Sequence, residues 1–134
     1  MHYDYLFVGG GLSSALCVLS LLHRAPWQRI AIVEQGPTLG GNHTWCFHAA
    51  DVSAEQQAWV SPLIVERWAG YHVRFPRRTR RLSSAYACVT SKRLHQVVAA
   101  RLEASGGELL LSRRVTRIER DRVQLEDGST LTAR

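Results

Sequence analysis

The fold is decided by residues 4–16, DYLFVGGGLSSAL, in which an apolar run leads directly into three glycines. The apolar residues up to Val8 are typical of a strand that is buried on both faces of a parallel sheet. From Leu12 onward, apolar residues recur at helical spacing, and Pro26 prevents the helix from continuing. A strand, a glycine turn and a helix in this order are typical of a phosphate site, because the helix N-terminus presents free N–H groups.

A second apolar run, RIAIVE at 29–34, predicts the next buried strand and completes a βαβ unit. Gly9 permits the tight turn after the first strand, Gly11 lets a pyrophosphate approach the backbone, and Ser14 stands where the pattern usually has glycine or alanine. Glu34 ends the second strand, where a carboxylate accepts hydrogen bonds from a ribose diol and repels a 2′-phosphate. These residues predict FAD or NAD, and the alternative interpretation of Glu34 is a solvent-facing strand end.

The composition fits a single domain that can bury a core. The chain has 134 residues, of which 46% are hydrophobic, with four tryptophans and a net charge of +6. The basic residues are nearly all arginine, which permits nucleic acid, anionic lipid or phosphate-bearing partners without selecting one. Three separated cysteines without a C-x-x-C motif predict free thiols in a reducing compartment. No Lys or Arg precedes the short apolar segment, so we expect a cytoplasmic chain without a signal peptide or a spanning helix.

The rest of the chain extends the βαβ unit into an α/β fold, with a Rossmann-like parallel sheet and an antiparallel hairpin or meander. The elements predicted after the second strand are a glycine-rich loop at 36–45, helix 53–68, strands 71–75 and 84–90, helix 91–104, strand 108–112, and alternating strands to residue 133 with a hairpin turn at Asp127-Gly128. Because the chain stops inside a strand-like pattern, we expect it to be the N-terminal portion of a longer protein.

Several stretches resemble one family, and the likeness extends over essentially the whole chain. GGNHTW at 40–45, WVSPLIVERW at 59–68 and YHVRFPRRTRRLSSAYACVTSKRL at 71–94 are similar to bacterial lycopene β-cyclases. The resemblance implies a two-dinucleotide-binding-type flavoprotein fold, with FAD in its reduced form and NAD(P)H as the electron donor. It also implies an enzyme of carotenoid biosynthesis that acts on lycopene, cyclising its ends towards β-carotene in a non-redox isomerisation.

Within such an enzyme, residues 1–134 are expected to form the N-terminal part of an FAD-binding domain, with an inserted substrate-side region at about 45–90. The second diglycine and the long insertion also favour FAD over NAD. The Phe-Leu-Glu-Glu type motif to which the family's proton chemistry is attributed does not occur, so we expect the catalytic acid downstream of Arg134 and assign no catalytic residue here. Two alternatives stay open: the N-terminal half of an FAD-dependent monooxygenase or oxidoreductase, and a non-catalytic dinucleotide-binding module.

The glycine pattern and the resemblance together give a set of expected cofactor contacts. By similarity, Arg93 faces the cofactor phosphates and Val115 offers backbone contacts to the adenine. The alternatives for these two residues are surface pairing and ordinary strand burial. The expected cofactor-binding residues are Gly9, Gly10, Gly11, Leu12, Ser14, Glu34, Gly40, Gly41, Asn42, His43, Arg93 and Val115.

The run HTWCFH at 43–48 places three side chains that bind metals close together in sequence, namely His43, Cys46 and His48. Three ligands without a fourth nearby make a poor tetrahedral site. We therefore expect no metal, and we interpret the run as packing around a flavin-facing loop.

The run RFPRRTRR at 74–81 concentrates positive charge in one segment. Clustered arginines suit anionic lipid headgroups, and an enzyme without a spanning helix has to reach a polyene dissolved in the bilayer from its surface. We therefore predict a peripheral membrane contact, against the alternative of a solvated or salt-bridged face. Nucleic acid is disfavoured, because the aromatic residues fit core positions better than a stacking platform. The residues concerned are Arg74, Arg77, Arg78, Arg80 and Arg81.

Overall fold

The computed structural model describes residues 2–134, and this part of the chain contains three α-helices and twelve strands. In chain order they are β1 (His2–Tyr3), β2 (Tyr5–Val8), α1 (Leu12–Arg24), β3 (Ile30–Val33), β4 (Thr44–His48), α2 (Ala54–Val60), β5 (Glu66–Trp68), β6 (Tyr71–Phe75), β7 (Arg78–Leu82), β8 (Tyr86–Thr90), α3 (Ser91–Ser105), β9 (Glu108–Leu110), β10 (Val115–Ile118), β11 (Arg122–Leu125) and β12 (Thr130–Ala133). Short 3-10 turns at Ala49–Asp51 and Ser61–Leu63 flank α2.

A parallel sheet of three strands, in the order β2-β3-β9, lies at the centre of the fold. All four side chains of the middle strand β3 are buried, because other elements cover both faces of the sheet. The glycine turn and α1 connect β2 to β3, and this is the βαβ unit that the sequence predicts. The α/β class is therefore confirmed.

Helices α1 and α3 pack against each other on one face of this sheet. α1 ends at Arg24, two residues before Pro26, and α3 begins after Thr90, whose Oγ1 accepts a hydrogen bond from the N–H of Arg93 at 3.3 Å. The buried residues that the two helices and β3 share are Ala15, Val18, Leu19, Ile30, Ile32, Leu94, Val98 and Leu102. Within α1 and α3, the helical spacing of the buried residues makes one side of each helix apolar.

The antiparallel meander β10-β11-β12 covers the opposite face of the parallel sheet. Val123 and Leu125 of β11 form a second core cluster with Val33 of β3. The first strand, β1, pairs in parallel with β12, which ties the start of the chain to the meander. The predicted antiparallel region after residue 115 is confirmed by this arrangement.

The segment between β3 and α3 forms a second, smaller sheet in the order β4-β8-β5, together with the separate hairpin β6-β7. The helix predicted over 53–68 is wrong in its second half: α2 ends at Val60, and Glu66–Trp68 is a strand paired with β8. Pro62 explains the early end, since it lacks an N–H and cannot continue a helix. The strand β4 is an element that the sequence interpretation did not include.

Candidate functional site

The turn after β2 brings three glycines to the N-terminus of α1. Gly9 has a φ of 90°, which favours glycine, and its N–H donates to the carbonyl oxygen of Val33 at 2.8 Å. α1 begins at Leu12, and no side chain within residues 2–134 caps its N-terminus. The first turn also carries no acidic residue. Its free N–H groups and the positive end of the helix dipole therefore remain for an anion such as a phosphate.

Gly10 and Gly11 have different surroundings. A Cβ on Gly10 would overlap the side chain of Leu39, which packs directly against it. A Cβ on Gly11 would meet no heavy atom of residues 2–134 within 4 Å. Gly10 is thus required for packing, whereas Gly11 leaves space through which a ligand can approach the backbone.

The second diglycine lies directly against the first. The N–H of Gly40 donates to the carbonyl oxygen of Gly10 at 2.8 Å, and Gly40 has a φ of 79°. The N–H of Leu39 donates to Nδ1 of His95 at 3.2 Å, which connects this loop to α3. The loop after β3 is therefore fixed both to the glycine turn and to the helix layer.

Glu34 is held in one orientation at the end of β3. Its Oε2 accepts from the N–H of Gly10 at 2.7 Å, and its Oε1 accepts from the N–H of Gly36 at 2.6 Å. Its own backbone N–H donates to the carbonyl oxygen of Leu110 in β9 at 2.9 Å. A carboxylate has about four acceptor positions, so two remain for the hydroxyl groups of a ribose.

Two clefts meet at Glu34. The first has a volume of about 410 Å³ and is lined by Gly10, Gly11, Leu12, Glu34, Gly40, Gly41, His43 and Trp45. The second has a volume of about 230 Å³ and is lined by Val8, Gly9, Val33, Glu34, Gln35, Arg113, Arg114 and Val115. A carboxylate between two clefts, with a helix N-terminus in the first, suits an extended ligand that carries both phosphate and ribose groups.

Nine of the twelve expected cofactor residues line one of the two clefts. The other three are Ser14, which is half-buried in the first turn of α1, Asn42, which is exposed, and Arg93, which is exposed in the first turn of α3. The structure brings Arg93 to neither cleft, and the roles of these three residues stay predictions.

Several cleft residues were missed by the sequence interpretation. Trp45 stands at the end of the GGNHTW motif, so that motif itself was a signal for it. Arg113 and Arg114 directly precede Val115, and they come to the second cleft because the N–H of Arg113 donates to the carbonyl oxygen of Glu34 at 3.0 Å. No periodicity in the sequence announces that contact.

Two other groups of side chains were candidates for function. Residues 2–134 contain no group of three or more His, Cys, Asp or Glu side chains placed to hold a metal ion. The five arginines at 74–81 lie on or next to the exposed hairpin β6-β7, and none has a carboxylate of residues 2–134 within 4.0 Å. Phe75, at the tip of the hairpin, is 66% exposed. None of the helices within the same residues is long and apolar enough to cross a membrane.

Sequence comparison decides the family. The model of the family described as lycopene cyclase protein matches residues 4–134. The chain belongs to this family. A lycopene beta-cyclase of Pantoea ananas is 39% identical over 133 residues, which is 99% of this chain and 34% of that relative. A lycopene beta-cyclase of Pseudescherichia vulneris is 37% identical over 130 residues, or 97% and 33% of the two chains. The chain thus spans about a third of the length of these curated family members.

Solved structures of similar fold include a probable FAD-dependent monooxygenase and a pyridine carboxylic acid oxygenase. P. aeruginosa PqsL, crystallised with 2-aminobenzoylacetate, matches with a TM-score of 0.75 and 20% identity over 99% of this chain and 41% of that chain. 2-Methyl-3-hydroxypyridine-5-carboxylic acid oxygenase matches with a TM-score of 0.74 and 14% identity over 99% and 38%. At these identities the likeness concerns the fold, and it agrees with a Rossmann-like domain of the FAD-binding type. The expected family and fold are therefore confirmed.

Proposed function

We propose that this chain is the FAD-binding part of a lycopene β-cyclase, an enzyme that closes the ends of lycopene into rings without net redox change. The observation that carries the proposal is the Glu34 carboxylate, fixed between two clefts at the N-terminus of α1, in a chain that belongs to the lycopene cyclase family. The proposed domain contains an inserted region at about 45–90, which in this structure is the small sheet, α2 and the hairpin.

Each part of the site has a role in holding FAD. The open side of Gly11 and the N-terminus of α1 would receive the pyrophosphate, and Glu34 would bind the ribose hydroxyls. The second cleft, with Arg113, Arg114 and Val115, would receive the adenine. The negative charge of Glu34 disfavours cofactors with a 2′-phosphate at this position. FAD is also supported by the likeness in fold to PqsL, which is described as a probable FAD-dependent monooxygenase.

Reduced FAD, with NAD(P)H as the source of its electrons, would supply negative charge that stabilises a carbocation. The residues of this chain would position that charge and exclude water from it. An apolar cavity of about 430 Å³ adjoins the first cleft and shares Leu12 and Trp45 with it. Its other apolar side chains include Leu16, Phe47 and Leu63, a lining that suits the hydrocarbon end of lycopene.

The hairpin β6-β7 supports a proposed contact with the membrane that contains the substrate. Its arginines have no carboxylate partner within residues 2–134, so their charge is available to anionic headgroups at about 1 kcal/mol each. Phe75 at the tip adds an exposed aromatic ring, which suits the interface between headgroups and hydrocarbon. We propose that the protein is peripherally bound through this hairpin.

The experiment that tests the function is expression of the whole protein in bacteria that accumulate lycopene, with carotenoids separated by chromatography. We expect cyclic carotenoids with the unchanged protein and a strong loss with Glu34→Gln. Glu103→Gln, an exposed residue of α3 that lines neither cleft, is the matched control and should retain activity. Unchanged lycopene in cells that hold flavin-loaded protein would contradict the proposal.

The second candidate function is an FAD-dependent monooxygenase, which the likeness to oxygenase structures favours. Such an enzyme consumes oxygen and NAD(P)H in proportion to product, whereas a non-redox cyclase does not. Carotenoid cyclisation under anaerobic conditions with pre-reduced flavin would therefore separate the two functions. Product that forms only with oxygen would favour the monooxygenase.

A further inference from the structure

Two cysteines face each other across the pair of strands β4 and β8. In the register of this antiparallel pair, Cys46 lies directly opposite Cys88. Side chains of directly opposed residues project from the same face of a sheet. The two thiols are therefore neighbours, although 41 residues separate them in the chain.

The hydrogen bonds of the ladder show which kind of pair this is. The N–H of Ser91 donates to the carbonyl oxygen of His43 at 2.9 Å, and the N–H of Ala49 donates to the carbonyl oxygen of Ala85 at 2.9 Å. Each of these bonds lies three residues along the ladder from the cysteine pair. Hydrogen-bonded and non-hydrogen-bonded pairs alternate in an antiparallel ladder, so the cysteines form a non-hydrogen-bonded pair.

A non-hydrogen-bonded pair has the closer side chains, with Cα atoms about 4.5 Å apart. Disulfides span Cα distances of about 4.4–6.8 Å, so this pair lies at the short end of the range that a disulfide tolerates. Cys46 and Cys88 are both free thiols in this structure. A bond between them requires rotation of the two side chains and little movement of the backbone.

The two thiols differ in their access to solvent, and the buried thiol of Cys88 has a perturbed pKa. Cys46 is exposed, whereas Cys88 is only 8% exposed. Burial raises the pKa of Cys88, and the adjacent side chain of Cys46 and the charge of Glu66 on β5 raise it further. Cys88 is thus protected from reagents in solution and stays protonated near neutral pH.

We propose that Cys46 and Cys88 form a reversible dithiol–disulfide site that reacts with low-molecular-weight disulfides. The Cys46 thiolate attacks one sulfur of the reagent, whose S–S bond breaks and releases one thiol after it takes up a proton. Cys88 then loses its proton and attacks Sγ of Cys46, which releases the second thiol. Two protein thiols are oxidised and one reagent disulfide is reduced to two thiols.

The location gives the bond a consequence for the cofactor cleft. β4 leads back to Trp45 and His43, which line that cleft, and β8 leads into Ser91 at the start of α3. A bond between Cys46 and Cys88 would tie together the two strands that support this wall. Such cross-strand bonds in short, partly exposed sheets are expected to be easily reduced again.

The test treats the reduced whole protein with oxidised glutathione under native conditions, followed by alkylation and peptide mass spectrometry. We use Cys17→Ser as the background, because Cys17 lies on α1 and is exposed but outside the pair. We expect a linked peptide pair joining Cys46 and Cys88, no retained glutathione on either residue, and reversal by reduced glutathione. In Cys88→Ser, Cys46 should keep one glutathione, and in Cys46→Ser, Cys88 should stay unmodified.

A geometric control combines Cys88→Ser with Tyr86→Cys. The new thiol is on the same face but diagonal to Cys46, at about 7–8 Å between Cα atoms, which is too far for a disulfide. Cys46 should therefore keep its glutathione adduct in this variant. A lasting glutathione adduct on Cys46 in folded protein that retains Cys88 would overturn the proposal. Equal formation of a disulfide in the variant with the diagonal cysteine would also overturn it.

Discussion

Replacement of Glu34 by glutamine tests the proposed cofactor site most specifically, because it changes the charge of the side chain while keeping its size. The carboxylate accepts hydrogen bonds from Gly10 and Gly36 at 2.7 and 2.6 Å, one on each oxygen. Glutamine offers one oxygen and one NH2 group, so it can satisfy only one of the two N–H donors. It also loses the charged acceptor that we propose for the ribose of the cofactor.

The magnitude follows from the number of charged hydrogen bonds that are lost. A hydrogen bond to a charged group contributes about 1.5–3 kcal/mol, and each 1.4 kcal/mol changes a dissociation constant about tenfold. We therefore expect Glu34→Gln to weaken FAD binding by about 10- to 100-fold. The unpaired N–H should also lower the free energy of unfolding of the apoprotein by about 1–3 kcal/mol.

The assay is titration of the apoprotein with FAD, followed by flavin fluorescence, with thermal unfolding of the same samples. Glu103→Gln in α3 carries the same loss of charge away from both clefts and should bind FAD as the unchanged protein does. Equal FAD affinity of Glu34→Gln and the unchanged protein would refute the assignment of Glu34 to the ribose.

Three further predictions use other parts of the structure. Gly10→Ala should lower the free energy of unfolding by about 1–3 kcal/mol, because the added Cβ overlaps Leu39. Gly11→Ala should leave the free energy of unfolding nearly unchanged and weaken FAD binding, because its Cβ would enter the open space beside the backbone. Chemical denaturation and FAD titration measure the two effects, and equal effects of the two variants would contradict the prediction. Replacement of all five hairpin arginines by glutamine should abolish flotation of the protein with anionic vesicles. The control variant, which should still float, has glutamine at five other arginines: Arg24, Arg101, Arg117, Arg120 and Arg122. Equal flotation of the two variants would contradict the membrane contact. Burial and a hydrogen bond to Glu108 raise the pKa of Tyr3 from 10.0 to about 12. The stability that this phenol contributes is therefore present below pH 10 and lost as the pH rises towards 12. In Tyr3→Phe, the free energy of unfolding measured against pH should fall less steeply between pH 10 and 12.

The sequence predicts the central sheet well because its signals are local. One apolar run precedes Gly9 and a second precedes Glu34, and each specifies a short strand by itself. The glycines that follow the first run specify the turn. The position of Glu34 is predictable from these elements, because a carboxylate at the end of a strand adjacent to the glycine turn lies near the helix N-terminus. The terminal meander is likewise marked by alternation and by Asp127-Gly128.

The small sheet is harder to predict because its strands are stabilised by distant partners. β5 covers only Glu66–Trp68, and it pairs with β8 about twenty residues later. The sequence pattern at 53–68, which contains β5, also fits a helix, and Pro62 is the residue that argues against a helix over its whole length. The links of Leu39 to His95 and of Arg113 to Glu34 likewise join segments far apart in the chain, and such contacts leave no periodic signal.

Identification of the nucleotide bound to the whole protein is the most direct test of the central claim. The purified protein would be saturated with a mixture of FAD, NAD and NADP, washed free of unbound cofactor, denatured, and its released nucleotide measured by mass spectrometry. We expect FAD, in an amount close to one per chain. Release of NADP or NAD in its place, or of no nucleotide at all from folded protein, would contradict a flavin held between the glycine turn and Glu34.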